Sequence, residues 1–103
     1  MDKHDVIFLL REKTRVNEIG QRLPDGFTEK EVYAKKTSVS QTEFFTAGQN
    51  GLKPDCMFEV YTFEYERETH VRHEGIVYTI YRTYVSGDNI ELYCEVRQND
   101  RYK

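Results

Sequence analysis

The sequence predicts a mainly β protein, a small antiparallel β-barrel of five to six strands with one long insertion loop that carries a short helix. Three observations lead there. Segments rich in Val, Ile, Tyr and Phe follow one another from residue 57 onward, separated by turn residues rather than joined in helical periodicity. Two further β segments precede them, and a stretch with helix-capping chemistry lies between the two groups. Finally, 103 residues sustain one core only, so the strands must share it as a single domain, residues 1–103. Closing the sheet is the economical arrangement, because closure removes exposed strand edges.

Each element has its own reason. Residues 6–10 form a short apolar run whose Val, Ile and Phe favour a strand. Residues 12–23 are mostly polar, with only Val16, Ile19 and Leu23 among them, and read as an exposed excursion ending in a turn at Pro24-Asp25-Gly26. Residues 31–39 read as a second strand, with Lys35 and Lys36 marking solvent. Ser40 and Glu43 then have the spacing of a capping box ahead of Phe44, Phe45 and Ala47, and Gly48 supplies a helix C-cap. With turn chemistry through Asp55, residues 39–55 form an insertion longer than a hairpin needs, a common place for function. Strands follow over 57–65, 69–73 (edge-like), 76–85 and 90–96, with tight turns at Glu74-Gly75 and at residues 86–89. In the fourth of these, Ile90, Leu92, Cys94 and Val96 alternate with polar residues, one face core and one wet. On 76–85, Tyr78, Ile80, Arg82 and Tyr84 share one face. Residues 98–103 read as a flexible tail.

Composition excludes several functions. Fifteen Lys and Arg against eighteen Asp and Glu give a formal charge of -3, so no strong phosphate-binding field and no specific nucleic-acid binding is expected. Aromatics at 14% argue against disorder. No apolar run approaches the ~20 residues that cross a bilayer, and the first residues lack a secretory signal, which predicts a soluble, cytoplasmic chain with no membrane partner. Cys56 and Cys94 show no CxxC spacing and are expected as two reduced thiols.

Chemical constellations are sparse. His70 and His73 are three apart on a strand, which points them to opposite faces, and Cys56 and Cys94 lie far apart in sequence, so both histidines read as exposed strand residues and no metal is expected. Ser38, Ser40 and Ser86 lie in caps and turns without a nucleophile elbow. Glu64, Glu66, Glu68 and Glu74 share strand parity with His70 and Arg72 and read as a solvated acidic ridge. Neither catalytic residues nor a cofactor are expected, and the chain reads as a non-enzyme. The many tyrosines and phenylalanines suit burial in protein contacts.

Residues 28–96 resemble the head-closure (head-tail joining, or stopper) proteins of tailed bacteriophages and prophages. The likeness rests on Glu31-Val32-Tyr33-Ala34, on Ser40, Glu43, Phe44, Phe45 and Ala47 with Gly51-Leu52-Lys53-Pro54, on Met57-Phe58-Glu59-Val60 leading to Tyr65, and on Gly75, Tyr78 and Ile80 with Ile90-Glu91-Leu92. The resemblance implies a β-barrel that joins, as a ring of copies, beneath the portal and its adaptor, closes the channel after packaging and receives the tail-end protein. It also implies assembly in the host bacterial cytoplasm and residence in the virion neck, with DNA passing through the ring. The insertion would carry channel gating and assembly, with Ser40, Glu43, Phe44, Phe45, Gly48, Gly51 and Leu52 as its residues. For Phe44 and Phe45, gating and capping of the barrel's open end both stand. The alternatives are a tail-completion or tail-end ring protein of the same neck and, from another class, an OB-like single-stranded nucleic-acid binding barrel.

Overall fold

The computed structural model describes residues 3–96; the expected tail at 98–103 lies outside them. In chain order the elements are β1 (Asp5–Val16), β2 (Arg22–Thr37), α1 (Gln41–Gly48), β3 (Cys56–Tyr61), a 3-10 turn (Thr62–Glu64), β4 (His70–His73), β5 (Ile76–Ser86) and β6 (Asn89–Val96). All neighbours pair antiparallel and close a six-stranded barrel in the order β1-β2-β3-β6-β5-β4. The mainly β expectation, with one short helix in the insertion, therefore holds. β4 is not an edge: it pairs with β1 through Phe8, Leu9 and Leu10 and with β5 through all four of its residues.

Inward-facing residues of every strand fill the barrel, among them Ile7, Leu9, Val32, Ala34, Val60, Val71 and Leu92. Phe58 is fully buried and takes the rings of His73 and Tyr78 edge-on at 5.4 and 5.6 Å. Burying a ring of that size contributes about 2–3 kcal/mol. His73, expected exposed, is therefore part of this packing, while His70 lies against Phe27 on the other side of its strand at 5.1 Å. Alternation explains the divergence of the two histidines. Burial of His73 depended on Phe58 lying across the barrel from it.

The largest departure from expectation is at the start of the chain. Residues 12–23 are not an irregular excursion; β1 and β2 run on together as a two-stranded ribbon down to the Val16–Arg22 pair. The turn lies at Asn17, whose Oδ1 accepts the N–H groups of Ile19 (3.1 Å) and Gln21 (2.9 Å), a side-chain-closed turn. Pro24-Asp25-Gly26 sits inside β2 instead. Register passes from Glu12–Phe27 to Thr14–Pro24, so Asp25 and Gly26 together oppose Lys13 in a bulge. Gly26 has φ +81°, the left-handed conformation that glycine adopts without steric cost. Pro24 is tolerated because no strand among the described residues pairs with it on its other side.

Two smaller corrections concern β3 and β5. β3 ends at Tyr61, where the chain leaves the sheet in the 3-10 turn, rather than continuing to Tyr65. In β5 the register passes from Ile80–Cys94 to Arg82–Tyr93, making Tyr81 an extra residue. This bulge breaks the shared face expected for Ile80, Arg82 and Tyr84: Ile80 packs against the core, while Arg82 and Tyr84 are exposed.

Candidate functional site: the insertion docked on the barrel wall

The connection from β2 to β3 leaves the sheet after Thr37 and returns at Cys56. Its helix starts as expected, with Ser40 Oγ accepting the Glu43 N–H at 3.0 Å. The reciprocal half of the capping box is not made. Glu43 instead turns to the barrel wall, where its carboxylate accepts the Tyr81 hydroxyl at 2.7 Å and Arg82 Nη2 at 2.5 Å. The Tyr81 bulge makes this geometry, because it brings two successive side chains of β5 to one carboxylate. Arg82 also lies over the Tyr93 ring at 4.1 Å, a cation–π contact that fixes its guanidinium.

Glu43 is only 13% exposed. Burial pushes its carboxyl up, but the hydrogen bonds from Arg82 and Tyr81 outweigh that and hold it below the ordinary value of 4.5. Burial, and donation to Glu43, push the Tyr81 hydroxyl well above its ordinary range. The site therefore holds a fixed anion between a cation and a neutral donor, a clamp rather than an acid-base pair.

The far end of the helix differs from expectation. Gly48 is not the cap; Gly51 has φ +82° and donates to the Gly48 carbonyl, while Leu52 N–H reaches the Ala47 carbonyl at 3.1 Å. This is the Schellman pattern, with Gly51 as the left-handed residue after the helix. Leu52 and the buried Ala47 line a cavity of about 180 Å³ at the seam, together with Glu43, Thr46, Asn50, Tyr81 and Arg82. On the return path Lys53 N–H donates to Glu95 of β6 at 3.1 Å. Of the insertion residues singled out in the sequence, Ser40, Glu43, Gly51 and Leu52 hold the loop to itself or to the wall. Phe44 and Phe45 form an edge-on pair at 6.0 Å and remain 50% and 59% exposed. Sequence reasoning missed Tyr81 and Arg82 as partners of Glu43; the adjacent aromatic and cation opposite an isolated helix carboxylate were the available signal.

The other constellations resolve structurally. Cys56 and Cys94 are free and buried but face one another directly across β3 and β6, so their separation in sequence is not a separation in space. Burial pushes the Cys56 thiol up to about 12, with Asp55 adding to it, and Cys94 is raised for the same reasons. Of the expected solvated ridge, Glu66 and Glu74 are exposed, but Glu68 is only 4% exposed, pairs with Lys30 at 3.3 Å and accepts the Glu66 N–H at 2.7 Å. Arg72 pairs with Glu29, through Nη2 at 2.9 Å, which holds the Glu29 carboxyl low. Among the described residues no three His, Cys, Asp or Glu side chains converge as a metal site, and no helix is long and apolar enough to cross a membrane. No family model matches the chain, and no curated protein matches it.

Proposed function

We propose that this chain is a structural, non-enzymatic protein of the neck of a tailed bacteriophage or prophage. As a head-closure protein, it joins as copies in a ring beneath the portal's adaptor, closes the channel after DNA packaging and presents the docking surface for the tail-end protein. It assembles in the host cytoplasm and resides in the virion neck. The observation that carries this reading is the ordered insertion, which is clamped to the barrel through the Glu43 carboxylate while offering an exposed Phe44–Phe45 pair. A connection of this length, folded and held at one seam, suits an element that changes partner on assembly. Gating would release Glu43 from Arg82 and Tyr81 and carry the two phenylalanines to new contacts.

An acidic chain also suits a conduit, since weak attraction to phosphate lets DNA pass without adhesion. Deleting residues 41–53 in a phage background is expected to leave packaging intact while full heads lose DNA or fail to join tails. Full heads of normal infectivity would reject the reading. Finding the protein on free tails rather than on tailless full heads would instead favour a tail-completion ring. Salt-sensitive binding of a labelled oligonucleotide would favour a single-stranded nucleic-acid barrel.

A further inference from the structure

We propose that the β1–β2 ribbon is an arm that docks on the outer β3–β6 wall of a second copy of this chain. The inference rests on the neck-ring reading only for the closure of such contacts into a ring. The contact itself stands on two surfaces that match each other in charge and in apolar character.

On the arm, strand alternation continues the core row of Ile7 and Leu9 into Arg11, Lys13 and Arg15 and puts Glu12 on the opposite face. Arg11 donates to a neutral acceptor, the Glu66 carbonyl. Arg15 approaches Asp25 only at 4.0 Å, with both side chains more than half exposed, and Lys13 makes no ion pair among the described residues. Past this row of cations the turn presents Ile19, 77% exposed and next to Glu18, while Val16, 64% exposed at the end of β1, falls on the face of Glu12.

On the wall, register places Glu59 directly opposite Glu91. Like charges opposed across a strand pair repel. Neither has an ion pair among the described residues; Glu91 accepts only the Tyr93 hydroxyl, at 2.6 Å. Lys35 faces Glu59 from β2, and Tyr84, 55% exposed, faces Glu91 from β5. A carboxylate pair framed by an exposed ring, with Lys35 on its β2 side, complements a row of cations that leads to the exposed Ile19. Within one copy the two do not meet, since the ribbon leads away from the barrel past Leu10. Pairing arm with arm would set cations against cations. The contact is therefore between unlike surfaces, the kind that propagates head to tail and closes rings.

Full-length chains carrying Ile19→Cys and Tyr84→Cys, mixed under oxidising conditions, test it, because the native thiols are buried. A mixed crosslink well above that of an Ile19→Cys chain with a Glu74→Cys control is expected, Glu74 being 78% exposed and off the wall. Adding Lys13→Glu to the arm should lower the yield about threefold, the scale of one exposed ion pair, and Glu91→Lys on the partner should recover it. A yield equal to the control, or indifference to both charge changes, overturns the proposal. Separately, the chain's presence in neck particles tests the neck reading. Particles that carry the chain without the crosslink would reject only the contact, and a crosslinking chain absent from necks would reject only the reading.

Discussion

The hydroxyl of Tyr81 donates to the carboxylate of Glu43 at 2.7 Å, joining residues 38 positions apart and tying the insertion to the barrel. Because Tyr81 is the extra residue of a bulge, Arg82 beside it reaches the same carboxylate. Removing one partner should therefore be felt along the whole insertion. Glu43→Ala is expected to cost about 1–2 kcal/mol of stability in urea unfolding and Tyr81→Phe about 1 kcal/mol. Arg82→Ala should cost less than Glu43→Ala, because its side chain is 43% exposed and solvent screens the pair. In each variant limited proteolysis should cut first between residues 38 and 55. Unchanged midpoints and cleavage patterns would show that the clamp does not hold the loop.

The same clamp gives stability a pH dependence of known sign. The Glu43 carboxyl is held below 4.5 in the folded chain, so over the acid range the unfolded chain binds more protons. Its contribution is then complete above about pH 5.5, where the unfolded carboxyl is ionised, and is lost as pH falls through the folded value. Glu29, lowered by Arg72, acts in the same direction. Comparing the parent with Glu43→Gln isolates the first group. The stability gap between them should be constant from pH 6 to 8 and shrink progressively as pH falls through the carboxylate range. A gap that widens on acidification would reverse the sign and reject the assignment.

How far this arrangement was legible in the sequence depends on the range of the interactions. Alternation of Ile90, Leu92 and Cys94 with polar neighbours marked β6, and Ser40 marked the start of α1, because both signals are local. Glu43 fitted the same local rule yet left it for a partner on β5, since a charge-assisted bond to Arg82 outcompetes the Ser40 backbone. Pro24-Asp25-Gly26 carried the strongest turn chemistry of the first quarter, but pairing with β1 turned it into a bulge. The true turn relies on Asn17 side-chain hydrogen bonds, a weaker composition signal than Pro and Gly together. The Cys56–Cys94 pair was invisible because it follows from register between strands distant in sequence.

The bulge in β2 makes a backbone prediction. A Cβ on Gly26 would meet nothing within 4 Å, so replacement costs only the left-handed conformation. Gly26→Ala should destabilise by about 1 kcal/mol, and Gly26→Val by more, as a β-branched residue resists positive φ. The loss should be local to the ribbon. Amide exchange should quicken for residues 11–16 and 22–28 while the amides of β3 and β6 keep their protection. Uniform loss of protection would instead make the ribbon part of the cooperative core.

Cys56 and Cys94 supply a probe of that core. Both are buried, and burial pushes the Cys56 thiol to about 12 and raises Cys94 as well. Only the thiolate attacks an alkylating or disulfide reagent, so at pH 8 the folded chain presents almost none of the reactive form. Labelling must then proceed through opening of the β3–β6 pair, and its rate should track unfolding rather than reagent accessibility. Adding urea should accelerate both thiols in parallel, and Glu43→Ala should accelerate labelling only by the stability it removes. Rapid labelling of one cysteine in the absence of denaturant would mean that β3 and β6 separate locally at their Cys56–Cys94 end, beside the point where the insertion rejoins the barrel.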